Sequence, residues 1–265
     1  MSVTDSADVV ATLRRAGCVF AEDEAALLIE AAGADPARLD QLVAQRVSGT
    51  PLEYLLGWVE FRGMRVGVRA GVFVPRQRTG FLVEQAVSEV TADSVRVVDL
   101  CCGCGALGIT AAAELTGRGC AVQLVAADID PVAVACAREN LASLHAPVYE
   151  GDLFDALPAE LCGHIDVLLA NTPYVPSARV ADLPPEAREH EPLVALDGGA
   201  DGLAVFRRVA EGAAHWLTPG GSLYVETGTE QVDTAHAVLR EHGLAPRVET
   251  SEEYYATVVI GTRPI

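Results

Sequence analysis

A doubly wound α/β sheet preceded by a small helical domain is the fold this sequence predicts, and three observations predict it. Beyond residue 75, short apolar segments alternate with helical ones. A glycine-rich turn joins the first apolar segment to the helix that follows it. The stretch 1–57, by contrast, carries mainly helical periodicity. Strand–helix alternation winds a parallel sheet with helices on both faces, and its ligand lies beyond the carboxyl ends of the strands.

In chain order, Val9, Val10 and Leu13 recur at helical spacing, and Ala25, Leu28, Ile29 and Ala32 repeat the pattern until Gly33. Pro36 suits the first turn of a third helix through Leu39, Leu42, Val43 and Val47, which Ser48-Gly49-Thr50-Pro51 ends. Residues 58–74 read as a hairpin linker, with Gly63 at the turn and Met64, Val66 and Val68 alternating. The main domain then spans 75–265. A helix over 79–90 leads into strands at 95–100, 122–127 and 165–170, with helices at 105–115 and 131–143. A short third strand precedes Gly151; a helix at 202–216, a strand at 222–226, a helix at 230–241 and a strand at 256–260 close the chain.

Bulk properties narrow the function. Half of the 265 residues are hydrophobic, which argues for a folded core and against disorder. No apolar run is long enough for a membrane span, and Met1-Ser2-Val3-Thr4-Asp5 lacks the basic start of a signal peptide, so a cytoplasmic protein is expected. Seven cysteines, three of them in one loop, read as reduced thiols filling a tight turn; a zinc or redox role for Cys101 and Cys104 would need a second ligand pair. The six histidines show no metal-ligand spacing, and no metal is expected. A net charge of −18 gains nothing from counterion release on nucleic acid, which is not an expected partner.

The segment Asp99-Leu100-Cys101-Cys102-Gly103-Cys104-Gly105-Ala106-Leu107-Gly108 formally spells a dinucleotide fingerprint, with Asp128 ending the next strand. Asp99 weighs against a pyrophosphate, which a carboxylate beside the loop would repel. S-adenosylmethionine carries a sulfonium and an ammonium instead, so Asp99 would attract it. Gly103 and Gly105 would allow its close approach, and Asp128 would accept hydrogen bonds from the ribose hydroxyls. Asp152 could accept from the adenine amino group, with Phe154 stacking nearby.

Asn171-Thr172-Pro173-Tyr174 directly follows a strand and therefore shares an edge with the glycine loop. A planar amide or aromatic amine has a delocalised lone pair and is a poor nucleophile. The Asn171 side-chain oxygen and the Thr172 carbonyl can accept its two N–H bonds and stabilise the positive charge that develops on nitrogen. Pro173 stiffens the loop and Tyr174 walls the pocket. Asn171 also borders the cofactor.

Together these segments resemble the HemK/PrmC family of protein-(glutamine-N5) methyltransferases, over nearly the whole chain. The matching pieces are Gly49-Thr50-Pro51, Gly57, Glu60-Phe61, Val74-Pro75-Arg76 and Thr79, followed by the two loops, Asp128, Glu191-Pro192, Asp201-Gly202-Leu203 and Gly220-Gly221. The resemblance implies a class I S-adenosylmethionine-dependent methyltransferase with a Rossmann-like seven-stranded sheet. It also implies a helical N-terminal domain that docks a protein substrate, and the Gly-Gly-Gln loop of peptide chain release factors as the target. Arg76, Thr79 and Glu191 join Asn171 and Tyr174 as expected substrate contacts, and Cys101, at the family's first loop glycine, as a cofactor contact. Three departures stand out: Thr172 for a proline, Arg78 for an acid and Gly80 for a glutamate. They keep open another peptide or a small metabolite as acceptor, and, from another class, a non-catalytic cofactor-binding assembly protein. Residues 184–190 read as a mobile loop near the site.

Overall fold

A computed structural model describes residues 6–265, so Met1–Asp5 lie outside the described residues. Three N-terminal helices form as the periodicity predicts: α1 (Ser6–Arg15), α2 (Ala21–Ala32) and α3 (Pro36–Val47). Asp35 caps α3 by accepting from the backbone N–H of Ala37 and Arg38 at 3.0 and 3.1 Å, and Pro36 occupies the first helical position. Val9, Leu13, Ala25, Leu28, Leu42 and Val43 pack into a core of their own. A short α4 (Leu52–Leu56) follows, unforeseen because five residues after a proline give no readable period.

The hairpin is real but shorter than expected. Strands β1 (Trp58–Phe61) and β2 (Met64–Gly67) pair antiparallel around Arg62 and Gly63, both with positive φ (48° and 74°), as a tight hairpin turn requires. Arg62 is held there by Glu114 at 2.6 and 3.0 Å and by the Gly80 carbonyl at 2.8 Å. Val68, Val72 and Val74 are buried, yet the chain has left the ladder and turns at Arg69–Val72. Their alternation reflects core burial rather than strand pairing.

Helix α5 (Gly80–Glu89) leads into the sheet: β3 (Ser94–Leu100), α6 (Ala106–Gly117), β4 (Ala121–Asp128), α7 (Pro131–Leu141), β5 (Val148–Glu150) and β6 (Ile165–Ala170). Then come α8 (Pro185–His190), α9 (Ala204–Trp216), β7 (Leu217–Thr227), α10 (Val232–Glu241), β8 (Ala245–Ser251) and β9 (Ala256–Thr262). The strand order is β5-β4-β3-β6-β7-β9-β8. The sheet is not wholly parallel, because β9 runs antiparallel to both β7 and β8. Only four residues separate β8 from β9, and such a connection can join only antiparallel neighbours. Two buried clusters cover the two faces. The order reverses between β3 and β6, so a crevice opens at their carboxyl ends.

The expected loop at 184–190 is largely the six-residue α8, and it is tied to the N-terminal helices. Arg46, 8% exposed, reaches Glu24 at 2.6 and 3.2 Å and Glu186 of α8 at 2.6 Å. Removing the cation would strand the buried Glu24 carboxylate, so Arg46→Met is expected to cost about 3–5 kcal/mol. Denaturant unfolding measures this, and a loss below about 1 kcal/mol would contradict the assignment.

Candidate active site

A cavity of about 500 Å³ occupies the crevice, of the size that takes a small-molecule ligand. Its floor comes from three strand ends: Cys101–Cys104 after β3, Asp128–Asp130 after β4 and Asn171–Tyr174 after β6. Gly151, Asp152 and Leu153 add a wall, and Arg76, Arg78, Pro184, Glu186 and Glu191 line it as well. The topology therefore brings the two sequence motifs together.

The glycine loop turns through left-handed backbone, with Gly103 on the cavity wall and Gly105 off it, facing the core. Gly103 and Gly105 sit at φ 56° and 80°, and a Cβ on Gly105 would press on Leu141 at 3.3 Å. Cys101 adopts φ 58° in the same loop and lines the cavity. Cys102 and Cys104 are buried in the core, so all three thiols serve as small packing groups, and burial pushes their ionisation up. Among the described residues no cluster of metal-ligating side chains occurs.

Asp128 accepts from the Gly103 N–H at 2.8 Å and the Asp130 N–H at 2.9 Å. Each carboxylate oxygen keeps a lone pair for the cavity that it lines, as two ribose hydroxyls require. Asp99 departs from expectation. It is 1% exposed and does not line the cavity; it lies beneath the loop, where Oδ2 accepts the Gly108 N–H at 2.8 Å. Gly108 suits this position, because a Cβ would press on that oxygen at 3.0 Å. Asp99 anchors the loop instead of facing the ligand.

Burial, offset in part by the Gly108 N–H and reinforced by the charge of Asp128, pushes the Asp99 pKa up to about 8. The folded state then holds a proton that the unfolded chain releases near pH 4, so this group's stability contribution falls as pH rises from about 4 to about 8. Asp99→Asn keeps an acceptor for Gly108 without the charge. Its melting temperature is expected to fall less steeply than the parent's between about pH 5 and pH 8; parallel slopes would refute the assignment.

At the second loop, Asn171 Oδ1 is shut off from solvent with no hydrogen-bond partner in the protein. Such an acceptor is costly unless something supplies its donor. Neighbouring glycines brace the loop: a Cβ on Gly198 would stand 2.5 Å from the Pro173 carbonyl, and one on Gly202 2.3 Å from that of Tyr174. The Gln231 amide donates to the Tyr174 carbonyl at 2.9 Å. The Asp201-Gly202 segment thus acts as a brace.

Four further expectations resolve. Asp152 lines the cavity, where Arg208 pairs with it at 2.7 Å. Phe154 does not line it; the positive φ of Leu153 (50°) turns Leu153 to the cavity and Phe154 into the core, stacked on Trp216 at 5.6 Å. Thr79 is 1% exposed and likewise off the cavity wall. Arg76 and Glu191 both line the wall, paired at 2.5 Å, and Glu191 also accepts from the Val74 N–H. Of the charge departures, Gly80 lies under Arg62, away from the cavity, whereas Arg78 is on its wall. The sequence reading missed Glu226, the penultimate residue of β7, 2% exposed and bonded to the Tyr174 hydroxyl; an acid directly after the apolar run Leu223-Tyr224-Val225 was the available signal.

A glycine loop, a cavity-lining acid and an amide side chain without a protein partner at one sheet edge fit a class I S-adenosylmethionine-dependent methyltransferase. Residues 64–183 match the family model described as the methyltransferase small domain. The chain is 34% identical over 224 residues to a release factor glutamine methyltransferase of Geobacter sulfurreducens, covering 84% of this chain and 76% of that one. It is also 34% identical over 218 residues to the 4-amino-L-phenylalanine/4-methylamino-L-phenylalanine methyltransferase of Streptomyces pristinaespiralis, covering 80% and 73%. Among solved structures, a methyltransferase from Pyrococcus furiosus shares the fold, with a TM-score of 0.56 at 13% identity over 77% of this chain and 91% of that one. The chain belongs to the HemK/PrmC family of release factor glutamine methyltransferases.

Proposed function

We propose that this enzyme methylates the side-chain amide nitrogen of the glutamine in the Gly-Gly-Gln loop of peptide chain release factors. The observation that carries this reading is Asn171, which lines the cavity shared by Asp128 and the glycine loop and whose Oδ1 has no hydrogen-bond partner in the protein. The relative from Geobacter sulfurreducens bears that activity in its name.

Bound S-adenosylmethionine supplies an electrophilic methyl on a sulfonium, which leaves as a neutral thioether. Cys101, Gly103, Asp128 and Asp152 line the cofactor half of the cavity, and Gly105 shapes the loop from the core side. Asn171 Oδ1 and the Thr172 carbonyl accept the two amide N–H bonds, which turns the nitrogen lone pair toward the methyl and stabilises its developing charge. The methylated nitrogen is strongly acidic and gives its extra proton to water without a dedicated base. Pro173 stiffens the loop. Tyr174, Arg76 and Glu191 wall the acceptor side.

Residues 1–57 serve as the docking unit for the release factor, residues 58–74 as the linker and 75–265 as the catalytic unit, all in the cytoplasm. No helix among the described residues is long and apolar enough to cross a membrane. The test is methyl transfer to a purified release factor, read by peptide mass spectrometry: a methyl gain on the loop glutamine is expected. A second reading, an aromatic-amine amino acid as acceptor, is favoured by Arg78 on the cavity wall and by the Streptomyces relative. Methylation of 4-amino-L-phenylalanine with the release factor untouched would select it.

A further inference from the structure

Three side chains from distant parts of the chain close a triangle at the acceptor wall. The Tyr174 hydroxyl donates to Glu226 Oε1 at 2.7 Å, Arg78 Nη2 donates to the Tyr174 hydroxyl at 2.9 Å, and Arg78 Nε donates to Glu226 Oε1 at 3.0 Å. The Glu226 side chain is 3% exposed and that of Arg78 46%, so the acid is sunk in the protein and the cation faces the cavity. Without Arg78, Glu226 would be a buried carboxylate with only a phenol to balance it, a costly arrangement.

The geometry points to Arg78 and Glu226 as a positioning pair for the methyl acceptor: they fix the Tyr174 ring, and with it the shape of the acceptor half, without touching the cofactor half. This rests on the reading of Tyr174 as an acceptor wall. The Tyr174 backbone is already held by Gln231, so the ring tip is the part left for the pair to set. None of the three side chains bonds to Asp128, Asp152 or the glycine loop. Arg78 therefore has a task that an acid at its position could not perform, since a carboxylate facing Glu226 would repel it.

The experiment compares Arg78→Gln, Arg78→Lys, Glu226→Gln and the double variant Arg78→Gln/Glu226→Gln in the full-length enzyme. Acceptor KM, cofactor Kd by calorimetry and melting temperature are measured. Arg78→Gln is expected to raise acceptor KM by about tenfold with cofactor Kd unchanged, Arg78→Lys to recover part of it, and the double variant to be no worse than either single one. The double variant holds no unbalanced buried charge, so it answers the question even where Arg78→Gln melts early. Unchanged acceptor KM, parallel loss of cofactor affinity, or additive effects would overturn the pairing.

The release factor and 4-amino-L-phenylalanine are each offered as acceptor in the assay. Should the parent leave the release factor unmethylated, the functional reading falls while the KM ratio on the other acceptor still judges Arg78. A turnover-free readout is the NMR signal of the Tyr174 ring, assigned through Tyr174→Phe. It should shift in Arg78→Gln and return in Arg78→Lys, and an unmoved signal counts against the proposal.

Discussion

Asn171→Ala is expected to lower turnover by about 10²–10³-fold while leaving cofactor affinity within about twofold. Asn171 lines the cavity and its side-chain oxygen has no hydrogen-bond partner in the protein, so an acceptor N–H can take it without displacing an existing bond. Its loss removes an interaction that strengthens as positive charge builds on the amide nitrogen, and the defect should therefore fall on kcat. Single-turnover rates together with calorimetric titration of the cofactor separate the two quantities. Parent-like methylation by the variant would remove Asn171 from the mechanism. A parent that binds cofactor and methylates no acceptor would instead favour an assembly protein.

Asp128→Ala carries the second large effect, on binding. Its carboxylate links the Gly103 and Asp130 N–H groups from the end of β4, and the residue lines the cavity. Hydrogen bonds to a charged group contribute about 1.5–3 kcal/mol each, so losing two ribose contacts should weaken cofactor binding by at least about 100-fold. The loosened glycine loop adds to this. Asp128→Asn keeps one acceptor oxygen and should lie between the two. Unaltered Kd in Asp128→Ala would mean that the ribose is held elsewhere.

The parts of the molecule that could be read in advance are those governed by local rules. Helices α1–α3 declare themselves through apolar spacing, Pro36 and Gly33, and β3, β4 and β6 are apolar runs between turn signals. Strand β8 escaped because it lies at the sheet edge with every residue exposed or half-buried and with a proline in it. Helix α8 buries only Ala187, so no periodic face exists to be seen. Similar limits apply to the site. The Asn171 and Asp128 loops follow strand ends, a position that chain order alone supplies. Asp99 and Phe154 were assigned to the ligand on proximity in sequence, whereas the backbone turns both inward. The pairing of Arg78 with Glu226 spans 148 residues and depends on which strands become neighbours.

The bridge from Arg46 to Glu186 has a bearing on modularity. The N-terminal helices possess their own core, and by that criterion they look like a detachable accessory. Yet α8, whose Glu186 and Ala187 roof the cavity, hangs from them through a guanidinium buried on the accessory side. Cutting the chain at the hairpin would therefore give a catalytic fragment with an unsupported roof. The evolutionary corollary is that the two units are constrained to change together: a changed surface on α1–α3 must preserve Arg46, or a replacement tether must arise before the old one is lost.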